Sequence, residues 1–72
     1  MQIELRDIEN WFTYHSPQEG QQEKYEAIRA AGKRFATVVL RNTPSCADQS
    51  AAIRLIREAV FTANAAIACD GK

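Results

Sequence analysis

The feature that most constrains this chain is a segment in its last third, residues 51–68, which is apolar on nearly all sides and rich in strong helix formers. One apolar stripe along this predicted helix consists of Ile53, Ile56, Val60, Ala63 and Ile67, and the neighbouring surface carries Ala52, Leu55, Ala59, Phe61, Ala65, Ala66 and Ala68. A helix that is apolar nearly all round has to be buried, and a 72-residue chain offers little other surface for that purpose. The sequence therefore predicts an oligomer, in which other copies of the chain cover this helix.

A second amphipathic helix is predicted over residues 17–42. Its apolar stripe falls at alternating three- and four-residue steps and consists of Tyr25, Ile28, Gly32, Phe35 and Val39. Gly32 has no side chain, so it weakens the helix by about 1 kcal/mol relative to alanine but allows a neighbouring backbone to come close. We therefore expect Gly32 to mark a close-packing point between the two long helices.

Local signals set the expected boundaries of these helices. The S-x-x-E pattern from Ser16 to Glu19, with Pro17 at the first helical position, predicts a capped start for the second helix. Pro44 ends that helix, and Ser45 is expected to cap the third, with Asp48 as a capping-box partner. A short helix is expected within residues 3–11, and Asp-Gly-Lys at 70–72 closes the third helix.

The predicted fold class is therefore all-α, with a short N-terminal helix followed by an antiparallel two-helix hairpin, and residues 1–72 form a single domain. Cys46 and Cys69 lie at opposite ends of the third helix, about 35 Å apart, so they are not expected to form a disulfide within the chain. With His15 as the one histidine, no metal site is predicted either. A reducing cytoplasm is the simplest interpretation of these residues.

The charge balance also limits the class of partner. Nine basic and nine acidic residues cancel, whereas binding to long nucleic acid depends on a strongly basic face. The first ten residues are acidic and lack an apolar run, so no signal peptide is expected, and no apolar stretch is long enough to cross a membrane.

Residues 12–29 combine aromatic and basic side chains around the predicted helix start. Free backbone N–H groups at a helix start suit an anionic ligand, flat rings stack on nucleobases, and cations bind phosphates. Each residue also has a structural interpretation. Tyr14 could anchor the loop, Trp11, Phe12 and Tyr25 fit a hydrophobic core, and His15 is expected to hydrogen bond within the loop. Asn64 is a lone amide in an alanine-rich segment, and we expect it to bond across an interface or to fix helix register.

Two sequence motifs, one within residues 13–29 and one within residues 58–68, resemble those of a known family. The first reads T-Y-H-x-P, then Q, then K-Y-E-x-I-R, and the second reads E-A-V-x-x-A-N-A-A-I-A. The matching residues are Thr13, Tyr14, His15, Pro17, Gln22, Lys24, Tyr25, Glu26, Ile28, Arg29, 58–60 and 63–68. Together they resemble the small phage sponge proteins that defeat the bacterial CBASS defence by sequestering its cyclic oligonucleotide signals. Related hairpins act against the Thoeris defence, which uses a cyclic ADP-ribose derivative.

The resemblance implies a helical hexamer in the host cytoplasm that holds cyclic dinucleotides, such as cyclic GMP-AMP, between protomers without cleaving them. Some members also bind cyclic trinucleotides at separate sites. By match to the motif, Tyr14 is the stacking aromatic, and Arg29, with Lys24 or Lys33, neutralises the phosphates. His15 lies beside Tyr14 in the same motif and completes the candidate ligand-binding set. The resemblance implies no cofactor, no metal and no catalytic residue.

Two other classes of function stay open. The apolar third helix also favours an oligomeric hairpin adaptor that binds a host protein or a structured RNA. The neutral charge and the loop motif argue against such an adaptor. An enzyme that degrades the signal ranks third, because the sequence shows neither a metal cluster nor an acid–base pair, and such a reaction needs one of them.

Overall fold

A computed structural model, which describes residues 2–72, shows an all-helical chain. Its three helices are Leu5–Trp11 (α1), Gln21–Asn42 (α2) and Ala47–Ala68 (α3), and residues 2–72 contain no strand. The predicted all-α class and the short N-terminal helix are confirmed. None of the helices in this part of the chain has the length and apolarity needed to span a bilayer.

Side-chain amides link the two long helices at both ends of an antiparallel hairpin. At one end, Gln21 at the start of α2 donates from Nε2 to the carbonyl of Ile67 near the end of α3, at 3.2 Å. At the other end, Gln49 donates to the carbonyls of Leu40 and Thr43, at 3.3 and 3.1 Å. The bonds of Gln21 to Ile67 and of Gln49 to Leu40 fix the register of α3 against α2, because each joins residues of the two helices.

The predicted close-packing point is confirmed at Gly32. A Cβ atom built on this residue would lie 2.6 Å from Cγ2 of Val60, far inside van der Waals contact. The absence of a side chain at Gly32 therefore lets α2 and α3 approach each other where their stripes cross.

The predicted start of α2 is wrong by four residues. The helix begins at Gln21, and Gly20 in the N-cap position adopts a left-handed conformation with φ of 82°. The residues before it form a separate turn. The amide N–H of Gln18 donates to Oε1 of Gln21 at 2.7 Å, and the amide N–H of Gln21 donates to the carbonyl of Gln18 at 3.0 Å. Ser16 therefore does not cap α2, because a glutamine side chain and a glycine turn separate it from the helix.

The predicted cap of α3 is displaced by one residue. Cys46, in an extended conformation, takes the N-cap position, and its side chain makes no capping hydrogen bond. Ser45 lies outside the cap, so the expected box with Asp48 is not formed. Cys46 and Cys69 flank opposite ends of α3, as expected, and both are free cysteines.

α1 is held to the hairpin through a polar contact of its last residue. The indole N–H of Trp11 donates to the carbonyl of Lys72 at 3.1 Å, which ties the end of α1 to the segment that follows α3. The next residue, Phe12, is 85% exposed, so its predicted core position is wrong. Trp11 and Tyr25 are only partly covered.

A single chain has no buried core. No residue in the described chain is buried, although the predicted α3 stripe consists of half-buried residues. The accessible surface is 6077 Å², whereas a compact protein of 8.1 kDa exposes about 4,500 Å². The radius of gyration is 15.2 Å, against about 11 Å for a compact domain of this length. The isolated hairpin thus leaves much of its apolar surface exposed to water.

Candidate functional site

Two grooves follow the line where α2 and α3 meet. Both are lined by Gly32, Ile56 and Val60, so they lie on opposite flanks of one helix–helix seam. The larger, which we term the apolar groove, has a volume of about 580 Å³. Its further lining includes Ile28, Phe35, Val39, Leu55, Ala59 and Ala63, and no polar side chain contributes to it.

The smaller groove carries basic side chains and has a volume of about 220 Å³. Besides the three shared residues, it is lined by Ala36 and by four larger side chains, Arg29, Lys33, Arg57 and Phe61. We term the groove formed by these four residues the cationic groove. The Cζ atom of Arg57 lies 5.9 Å from the centroid of the Phe61 ring, within the range of a cation–π contact.

No acidic residue lines the cationic groove. Within residues 2–72 the one ion pair closer than 4 Å joins Arg6 to Glu4, at 2.8 Å, and it lies in α1. Arg29, Lys33 and Arg57 therefore form no ion pair within 4 Å with a carboxylate of the described chain. Such a groove suits an anion, and a planar arginine head beside a ring suits a phosphate that carries an aromatic base.

The structure brings together two of the five predicted ligand-binding residues. Arg29 and Lys33 are one turn apart on α2 and share the cationic groove. Lys24 is exposed on the first turn of the same helix, and Tyr14 and His15 belong to the loop between α1 and α2. None of these three lines the cationic groove of the same chain.

The two loop residues differ in their environment. Tyr14 is 83% exposed, so its ring is free to stack on a flat ligand. His15 is half-buried, and its Nε2 lies 2.7 Å from the carbonyl oxygen of Asn10. Since a carbonyl can only accept, this bond places the ring proton on Nε2. The expected loop hydrogen bond of His15 is confirmed.

Sequence reasoning did not assign Arg57 or Phe61 to the site. Phe61 was expected to widen the apolar surface of α3. The sequence does contain a pattern that relates the two arginines, because Arg57 follows the stripe residue Ile56 just as Arg29 follows Ile28. Recognising it requires the register of α3 against α2, which the sequence pattern does not give.

Asn64 has an incomplete hydrogen-bond set. Its Oδ1 atom is buried and has no hydrogen-bond partner within residues 2–72. A buried unpaired carbonyl of this kind costs about 1–3 kcal/mol, so a partner from outside the hairpin or a role in register would explain its presence. The predicted interface role stays a prediction.

The fold and the two grooves define a class of small helical-hairpin proteins with an uncovered apolar flank and a basic flank. The sequence specifies the family. Residues 4–68 match the family model described as "Acb2/Tad1, hairpin domain". The chain therefore belongs to the family of anti-CBASS protein 2 and the Thoeris anti-defence sponges, and the family assignment made from the two motifs is confirmed. Searches of curated proteins and of solved structures find no match.

Proposed function

We propose that this protein is a phage anti-defence sponge. It would bind cyclic dinucleotides such as cyclic GMP-AMP, and cyclic trinucleotides as a second class, in the cytoplasm of an infected bacterium. Holding these messengers would keep them from the effectors of CBASS defence. The observation that carries the proposal is the family match, which covers residues 4–68 and thus nearly all of the hairpin.

The proposed ligand-binding residues are Tyr14, Lys24, Arg29, Lys33 and His15. The uncompensated charges of Arg29 and Lys33 support a role in binding the phosphates, and the exposure of Tyr14 supports stacking on a base. Tyr14 does not line the cationic groove of its own chain. A binding site that includes both the cationic groove and Tyr14 would therefore take Tyr14 from a second copy of the chain. His15 would support the loop that presents Tyr14.

We further propose that the functional unit is an oligomer, with a hexamer as the expected state. The chain exposes about 1,600 Å² more surface than a compact protein of its mass, and no polar side chain lines its apolar groove. Apolar surface gains roughly 25 cal/mol for each Å² removed from water, so burial of this groove against other copies would stabilise the assembly.

Sequestration does not require any bond to be broken. The protein has to bind tightly enough, and be abundant enough, to keep the free messenger below the level that activates its effector. An affinity in the nanomolar range corresponds to about −12 kcal/mol. A cyclic ligand has little conformational entropy to lose, so a pre-formed pocket between rigid helices can supply much of that free energy.

Recovery of the ligand tests this function directly. The protein is incubated with 3′,3′-cyclic GMP-AMP, freed of unbound ligand and then denatured, and the released nucleotide is analysed by chromatography. A sponge returns the intact cyclic ligand in stoichiometric amount. Linear fragments would instead indicate an enzyme, and the absence of any retained nucleotide would contradict cyclic dinucleotide sequestration.

A second candidate is an oligomeric adaptor that binds a host protein. The apolar groove favours it, because an exposed groove of about 580 Å³ with no polar lining can also receive a helix of another protein. An adaptor would retain no cyclic nucleotide in the recovery experiment.

A further inference from the structure

We propose that Arg57 and Phe61 of α3 are ligand-binding residues, which bind one phosphate and its adjacent base together with Arg29 and Lys33. This inference rests on the proposed function and deepens it. It assigns phosphate binding to a groove that spans both long helices, whereas the sequence motifs place the basic residues on α2 alone.

The first observation is the concentration of like charge. Arg29 and Lys33 are four residues apart on α2, a spacing at which like charges destabilise a helix. Arg57 adds a third cation from the opposite helix, and no carboxylate lines the groove. Since the whole chain is neutral, this local excess is not a consequence of a basic composition. A bound anion would neutralise it.

The second observation is the position of the Phe61 ring. The ring is 61% exposed, and the guanidinium of Arg57 lies over it at 5.9 Å. Packing against the ring restricts the arginine head while its N–H groups stay available for a phosphate. The exposed remainder of the ring can stack on the attached base. An arginine that was simply solvated would gain nothing from its position beside the two other cations.

The third observation is size. The groove holds about 220 Å³, which is below the roughly 300–1,000 Å³ of pockets that enclose a drug-sized ligand. It can therefore take one phosphate and part of one base, but not a whole cyclic dinucleotide. The remainder of the ligand would lie outside the groove and contact other residues, including the proposed stacking residue Tyr14.

The test compares two arginines on the same helix. Arg57→Gln removes a charge from the groove, and Arg54→Gln removes the same charge from an exposed position of α3 outside both grooves. Calorimetric titration with 3′,3′-cyclic GMP-AMP should show binding weakened about tenfold or more in Arg57→Gln, as expected for loss of a charge-assisted hydrogen bond, and unchanged in Arg54→Gln. The salt dependence of the affinity should also decrease in Arg57→Gln alone.

Phe61→Leu tests the ring separately, because leucine keeps the apolar bulk and removes the stacking surface. We expect about tenfold weaker binding with an unchanged sedimentation mass. Equal affinities of the Arg57→Gln and Arg54→Gln variants, or equal losses in both, would overturn the groove assignment. A changed mass in Phe61→Leu would overturn the stacking role and place the ring in an interface. Failure of the unmodified protein to bind would instead refute the proposed function itself.

Discussion

The two flanks of the α2–α3 seam are built from the same three residues and yet have opposite chemistry. Gly32, Ile56 and Val60 line both grooves, but one flank is entirely apolar and the other carries three uncompensated cations. The uncovered apolar flank favours a protein surface as its partner, and the charged flank favours a small anion. Under the proposed function, one flank of the hairpin would support assembly and the other would bind the ligand.

The difference arises from steps of one or two residues along the helices. Successive residues of an α-helix are about 100° apart, so Arg29 and Arg57 point to a different flank from Ile28 and Leu55. A change on one flank can therefore be made with little effect on the other. The following substitutions use this separation.

The largest effect is expected from a charge in the apolar groove. Leu55→Glu should dissociate the oligomer, because an unpaired carboxylate buried at an interface is strongly destabilising. Leu55 is 60% exposed in the single chain, so the hairpin itself should tolerate the change. Leu40→Glu is the matched control, since Leu40 is 56% exposed on α2 but lies outside the apolar groove. Sedimentation should show a loss of mass for Leu55→Glu alone, and equal masses would contradict the assigned interface.

The next effect concerns the loop. Tyr14→Ala should weaken the binding of cyclic dinucleotide by about a hundredfold, because stacking of one base on a ring contributes up to ~3 kcal/mol. The mass of the assembly should not change. Phe12→Ala is the control, because Phe12 is equally exposed at the start of the same loop. An unchanged affinity of Tyr14→Ala in calorimetry would remove Tyr14 from the pocket.

Helical periodicity predicted the stripes, and the lack of a side chain at Gly32 predicted the close contact, since both depend on residue size and spacing alone. The start of α2 could not be predicted in this way. The S-x-x-E pattern at Ser16 competes with the turn that Gln18 and Gln21 close, and Gly20 favours that turn by adopting positive φ.

A smaller effect is expected at the seam. Gly32→Ala should lower the free energy of unfolding by about 1–2 kcal/mol, because its Cβ would clash with Val60 and a valine in a helix has essentially one rotamer. In a Val60→Ala background the clash is absent, so the same change should raise stability by up to about 1 kcal/mol through helix propensity. Urea denaturation measures both values. The same cost in both backgrounds would show that the helices do not touch here.

At Asn64 the expected effect is on helix register, because its unpaired Oδ1 costs about 1–3 kcal/mol if it stays unpaired in the assembly. We predict that Asn64→Leu changes the oligomeric mass, since a lone amide in an apolar segment should fix register. Thr62→Val, at an exposed position of the same helix, should leave the mass unchanged. An identical sedimentation profile for Asn64→Leu and the unmodified protein would exclude the register role.

The candidate site could be predicted only in part. The family resemblance implied Arg29, with Lys33 as an accompanying cation, and both lie on α2, where helix spacing relates them. Arg57 and Phe61 join them only through the register of the hairpin, which Gln21 and Gln49 fix through backbone carbonyls. Such bonds leave no pattern in the sequence, so sequence analysis could not place residues of α3 in the groove.

The most direct test of the account is calorimetric titration of the purified protein with 3′,3′-cyclic GMP-AMP, with a linear dinucleotide as control. We predict tight binding of the cyclic ligand alone, at about one site per two chains, because each pocket would be completed by two copies. If that ligand gives no heat, cyclic trinucleotides and cyclic ADP-ribose derivatives are titrated next. Absence of binding to all of them would contradict a sponge and favour the adaptor.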